Sequence, residues 1–144
     1  MWSASPMAVA GLCYGLASLL TMGFGLVYLT RRQFLPYHQQ ALGIPWQSLD
    51  PALQALLLGL MRTAGGGCLA TGVAIACLLL IPFRAGASWV LTAIPAIGLL
   101  IALPALQATL LIRRRTGAHT PVAAAAAGVA LLVVGALASQ LAMA

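Results

Sequence analysis

The chain alternates between long apolar runs and short polar breaks. The first run extends from about Met7 to Leu29, carries no charge, and ends at Arg31-Arg32. A helix rises about 1.5 Å per residue, so roughly 20 apolar residues cross a hydrocarbon core of about 30 Å. This run meets that length, and Pro6 stands near its start, where a missing N–H leaves no helical bond unmade. The second run opens at Asp50-Pro51, an N-cap residue followed by a good first helical residue, and spans about 53–82. The third occupies about 89–112 and stops at Arg113-Arg114-Arg115; Pro95 and Pro104 interrupt its hydrogen-bond ladder and are expected to bend it. The fourth covers about 122–142 and opens on consecutive alanines. The pattern predicts an all-α, integral membrane four-helix bundle forming a single domain over residues 1–144.

Two segments complicate this layout. A continuous helix from Pro51 to Pro82 would be about 48 Å long, well beyond the core. It is therefore expected to project, to tilt, or to break at Gly65-Gly66-Gly67, since each interior Gly costs about 1 kcal/mol relative to Ala. The first connector, about 30–50, mixes Phe34, Leu35, Tyr37, Leu42, Ile44 and Trp46 with Gln and Gly, and Pro36 and Pro45 are expected to break it. Tyr and Trp favour the headgroup zone, so the connector is expected to lie at the membrane interface.

Composition narrows the function classes. Of 144 residues, 62% are hydrophobic and 6% charged, whereas a soluble surface needs about 25% charged residues. The net charge of +6 comes from arginines that flank the apolar runs, where anionic headgroups meet them, so no nucleic-acid partner is expected. The N-terminus lacks the basic region of a secretory signal, and the first run reads as a retained span. The connectors holding Arg31, Arg32, Arg113, Arg114 and Arg115 share one side, against Arg84 on the other. The positive-inside rule then predicts both termini on the periplasmic or outer side of a bacterial inner membrane.

Small residues mark candidate packing faces. Gly11 and Gly15 form a G-x-x-x-G, Ala64, Cys68, Gly72 and Ala76 recur at i, i+4 beside Gly65, and Gly128 and Gly135 lie a heptad apart. Such residues let backbones approach within this bundle or against a partner subunit. Arg62 is the sharpest polar feature. Counted back from Pro82 it falls at the cytoplasmic boundary, where its head can reach phosphate; counted from Leu53 it lies deep enough to require an anionic partner.

Tyr37, His38, Trp46 and Asp50, with Gln39 and Gln40, gather in the first connector, on the side that also carries Arg62 and His119. They fit a lipid- or ligand-binding pocket, and a solvated interfacial loop accounts for them equally. One acid and two distant His form no triad or metal set, so no catalytic residue and no metal is assigned. No cofactor is implied, because neither His lies in a span where haem or a pigment would use it. Gln107, a lone amide in the third span, fits a bond to a neighbouring helix or a ligand contact. Cys13 and Cys77 fall at similar depth and allow a disulfide, although buried Cys usually packs as a small apolar residue.

The stretch Pro36-Tyr37-His38, Ala41-Leu42-Gly43, Pro45-Trp46, Leu49-Asp50-Pro51 and Arg62-Thr63-Ala64-Gly65-Gly66-Gly67 resembles a group of small bacterial four-span proteins of unknown function. In layout these are similar to the DoxX-like membrane proteins. The resemblance covers about half the chain; it implies a four-helix membrane fold and transfers no catalytic residue. Scarce reactive groups and abundant small residues lead to the expectation of an accessory or scaffolding subunit of a larger membrane assembly, or a homo-oligomer, in contact with membrane lipids. A small enzyme or lipid-binding protein is the alternative, and an oligomeric transporter or channel ranks below both.

Overall fold

A computed structural model describes residues 5–143. It holds five α-helices: α1 (Pro6–Thr30), α2 (Pro36–Leu42), α3 (Pro51–Leu78), α4 (Val90–Thr116) and α5 (Val122–Leu141). Four of them, all but α2, are long and apolar enough to cross a membrane. The helix starts follow local chemistry. The Ser5 hydroxyl accepts the Ala8 N–H at 3.3 Å, and the Asp50 carboxylate accepts the Ala52 N–H at 2.8 Å, each satisfying an orphan donor of a helix whose first residue is Pro.

The glycine triplet does not break α3, which runs unbroken through Gly65, Gly66 and Gly67. Local propensity is overridden there because Gly65 sits against α1. The disturbance lies later, at Pro82. It has no N–H, and in a regular α-helix its ring would clash with the carbonyl of Leu78; the last turn, Leu79–Phe83, is widened into a π-helix. α4 keeps its helical course across Pro95 and Pro104 and continues past Arg113, Arg114 and Arg115 to Thr116. Arginine is a good helix former and its charge suits a helix C-terminus, so the triplet extends the helix rather than stopping it. Gly117, at φ 71°, makes the left-handed turn that ends it. The first connector is also more ordered than its composition suggests: Pro36 begins α2 instead of breaking the segment, and a 3₁₀ turn covers Trp46–Ser48.

Contacts between α1 and α3, α1 and α5, and α4 and α5 all run antiparallel: Gly25 meets Gly65 while Ser18 meets Gly72, Tyr14 meets Gly135 while Leu20 meets Gly128, and Gly98 meets Leu132 while the Thr109 carbonyl accepts from Thr120, just before α5. The Arg-rich connectors therefore share one end of the bundle. The core lies nearer the other end, where Tyr14, Ile75, Ile94, Val90 and Leu132 are fully buried. Lipid offers no hydrophobic drive between helices, so close backbone approach and polar bonds hold them. A Cβ on Gly25 would stand 2.6 Å from the Leu69 backbone nitrogen, and one on Gly65 would stand 2.8 Å from the Tyr28 Cβ. Two turns farther along this seam the Ser18 hydroxyl donates to the Gly72 carbonyl at 2.8 Å. Across the core the Ser139 hydroxyl donates to Ala136 at 2.8 Å, so the Tyr14 hydroxyl is the donor in its 3.5 Å contact with Ser139.

Candidate functional site

The Arg-rich end carries a second, smaller cluster built from the first connector. Phe34, Leu49 and Met61 are buried there, with Tyr28, Leu35, Trp46 and Leu57 packed around them. Aromatic rings interlock: Phe34 meets Trp46 edge-on with centroids 5.0 Å apart, and His38 meets Phe34 at 6.2 Å and Tyr28 at 6.3 Å. Tyr37 meets His38 at a tilt of 58°, with ring centroids 4.1 Å apart. The Tyr28 and Tyr37 hydroxyls hydrogen-bond to each other, tying the last turn of α1 to the first turn of α2.

The chemistry of this cluster is protonated and neutral. His38 Nδ1 accepts the Leu35 N–H at 3.2 Å, which caps α2 and leaves the proton of the neutral ring on Nε2. Burial pushes the His38 imidazole below its ordinary value, because the charged ring would be poorly solvated. Burial, and then the bond with Tyr28, hold the Tyr37 phenol far above its usual range, so it stays protonated in any physiological medium. The Gln40 side-chain oxygen accepts the His119 N–H at 3.0 Å and joins α2 to the loop between α4 and α5. Gln54 donates to the carbonyls of Trp46, at 2.9 Å, and Leu49, at 3.3 Å, fastening the 3₁₀ turn to α3.

Two cavities meet at α2. One is an apolar groove of about 570 Å³ along α1 from Leu19 to Tyr28, with Tyr37, Gln40 and His119 at its mouth. Its run of α1 is about 14 Å long. The other is a polar basin of about 460 Å³ lined by Arg31, Gln33, Gln39, Gln47 and the backbone around Gly43. Pro36 and Gln40 line both.

The sequence-derived candidates separate on this geometry. Tyr37 lines the groove, Trp46 lines the basin, and His38 braces the helix between them. Asp50 stands apart, its carboxylate engaged in capping α3. Arg62 lines neither cavity and is exposed. Its level is set by register: Gly65 abuts Tyr28 and Leu29, and Arg62 is about 4.5 Å farther toward the start of antiparallel α3. That places it beside Arg31 and Arg32. Gln107 is exposed on α4 and makes no hydrogen bond among the described residues.

Among the small residues, Gly65 and Gly72 face α1, Gly135 seats the Tyr14 ring, and Gly128 touches Leu20 at van der Waals distance. Ala64 is exposed, so the contact face of α3 runs through Gly65, Leu69 and Gly72 and shares only part of the Ala64, Cys68, Gly72, Ala76 line. Gly11 meets only the Phe83 ring, and a Cβ on Gly15 would meet nothing within 4 Å. Cys13 is buried and Cys77 exposed, and both are free thiols, so the disulfide is absent. No group of three metal-ligating side chains comes together among the described residues.

Sequence reasoning overlooked Tyr28 and Gly25. Tyr14, Ser18, Gly25 and Tyr28 fall at helical spacing along one face of α1, and that stripe of small and polar residues in an otherwise apolar span was the available signal. No known protein family matches the chain, and neither does any curated protein or solved structure.

Proposed function

We propose that this multi-pass membrane protein binds an amphiphilic molecule of the bilayer at its Arg-rich end. The observation that carries the reading is the junction of an apolar groove with a polar basin across Pro36 and Gln40. Small-molecule sites are concave, of about 300–1,000 Å³, and mostly apolar with a few placed polar groups. The groove has that character, and its mouth is held by the Tyr28–Tyr37 and Gln40–His119 bonds. The Arg-rich end is taken as cytoplasmic by the positive-inside rule, in a bacterial inner membrane, which puts both termini outside. Arg62, level with Arg31 and Arg32, then lies at the headgroup boundary, where its head is solvated by phosphate.

The test is native mass spectrometry of the protein extracted from its own membrane in mild detergent. A retained bilayer molecule at one per chain, lost when Gly23→Leu fills the groove, is the expected result. Gly23 is exposed on the groove wall and a Cβ there meets nothing within 4 Å, so the substitution does not crowd the bundle. Equal retention by Gly23→Leu and wild type refutes the reading.

A second reading, an accessory subunit of a larger assembly, is favoured by one different observation. Gly59, Thr63, Gly66 and Ala70 recur along α3 on a face the bundle does not cover, and Cβ atoms on Gly59 and Gly66 would meet nothing within 4 Å. Co-migration with larger membrane proteins, abolished by Gly66→Leu, supports that reading; a chain that always runs alone removes it.

A further inference from the structure

We infer that the bound amphiphile is a glycerophospholipid whose headgroup carries net negative charge, with one acyl chain in the α1 groove and its phosphate in the basin at Arg31. The inference rests on the amphiphile reading above and adds the headgroup class. Four observations support it. First, groove and basin share the walls Pro36 and Gln40, so tail and head of one molecule can occupy both without crossing a barrier. Second, the basin is lined by one guanidinium and by the amides of Gln33, Gln39, Gln40 and Gln47, with no carboxylate in either cavity. Third, the sole acid of the chain, Asp50, is held in the cap of α3 and lines neither cavity. A zwitterionic head would bring an ammonium beside the Arg31 guanidinium in a basin that offers it no carboxylate, whereas a head whose only charge is its phosphate leaves that charge to Arg31 without the repulsion.

The fourth observation is depth. The groove climbs α1 from Tyr28 toward Leu19, away from Arg31, so apolar lining follows polar lining in the order a lipid presents them. Neutral Tyr37 and the Gln40 amide stand between, at the level of the ester linkages, and both are hydrogen-bonding groups without charge.

The test uses delipidated full-length protein in detergent, titrated with phosphatidylglycerol or phosphatidylcholine of matched chains and read by native mass spectrometry. The expected result is a one-to-one phosphatidylglycerol adduct favoured about five-fold, the ratio that corresponds to about 1 kcal/mol for one Arg–headgroup contact. Arg31→Gln brings the two lipids to parity, while Arg32→Gln, which removes an equal charge outside the basin lining, leaves the preference in place. Gly23→Leu loses both lipids. Equal binding of the two lipids by wild type, still lost in Gly23→Leu, overturns the headgroup inference and leaves the amphiphile reading standing. Adducts unaffected by Gly23→Leu overturn both. A preference reduced equally by Arg31→Gln and Arg32→Gln assigns it to general surface charge and overturns the site at Arg31.

Discussion

Replacing Gly25 by Ala should destabilise the bundle, although the same change elsewhere in α1 should not. The added methyl would sit 2.6 Å from the Leu69 nitrogen, 2.8 Å from the Gly65 carbonyl oxygen and 2.9 Å from the Leu69 Cβ. Two of these three atoms are backbone, so no rotamer change relieves the clash and α1 must move off α3. Overpacking of this kind costs about 1–3 kcal/mol. Moving the helices apart also stretches the Ser18–Gly72 bond, now 2.8 Å, and interhelical bonds in membranes contribute about 0.6 kcal/mol. Against this, Ala is favoured over Gly within a helix by up to about 1 kcal/mol. The net expectation is a loss of about 1–2 kcal/mol.

Gly15→Ala is the internal control. It lies on the same helix, and its Cβ would meet nothing within 4 Å, so only the favourable propensity difference remains. Reversible unfolding in mixed micelles should therefore separate the two variants by about 1–3 kcal/mol, a factor of about 5 to 150 in the folded-to-unfolded ratio. Gly65→Ala should cost a similar amount, and the double variant should cost less than the sum, since the first methyl already parts the helices. Gly25→Ala proving as stable as Gly15→Ala would refute the reasoning, because it would mean that α1 and α3 do not meet at this seam.

Two further outcomes follow from the Arg-rich end. His38 has a folded-state pKa below its ordinary 6.5 because of burial, so the unfolded connector binds the proton more readily. Order in α2 should be complete above about pH 6.5 and should fall as pH drops from there toward the folded value; hydrogen exchange at residues 36–42 reads this, and an unchanged pH profile in His38→Gln would assign the loss to another group. In a cysteine-free background, Arg62→Cys should react with a membrane-impermeant maleimide from the same side as Arg31→Cys, and in intact cells only after permeabilisation; labelling from the opposite side, or none, would contradict the shared level of the two residues or the cytoplasmic placement of that end.

What the sequence could convey divides along physical lines. Span positions depend on composition alone, so the four apolar runs correspond to α1, α3, α4 and α5 with shifts of a turn or less at most ends. Caps were equally legible, because Asp50-Pro51 acts on its nearest neighbours. Residues whose role depends on register were not. The level of Arg62 relative to the arginines that end α1 depends on how α3 is set against α1, and the meeting of Gly65 with Tyr28 and Leu29 fixes that register. Small-residue stripes were legible only in part for the same reason: Gly65, Gly72, Gly128 and Gly135 meet a neighbouring helix whereas Ala64 and Gly15 do not, because a helix shows several such lines and the partner chooses among them. Gly15 and Gly25 are indistinguishable as sequence, yet one faces open space and the other a backbone at 2.6 Å.

The candidate site is illegible for a deeper reason. Its walls come from α1, α2 and the loop before α5, and the contact at its mouth joins Gln40 to His119 across 79 positions of chain. The polar cluster that drew attention in the connector serves mainly to hold α2 in place: His38 caps it, Tyr37 ties it to α1, and Gln54 anchors the turn that follows. Those bonds set the position of α2, and the position of α2 creates the groove on one side and the basin on the other. The His38 and Tyr37 side chains therefore act chiefly as positioning residues, and the proposed binding surface consists of Arg31 with residues of little chemical character of their own, Gly23, Leu20, Pro36 and the glutamines. It follows that removing the His38 acceptor should weaken amphiphile retention without contact to the bound molecule, whereas Gly23→Leu acts on the groove directly.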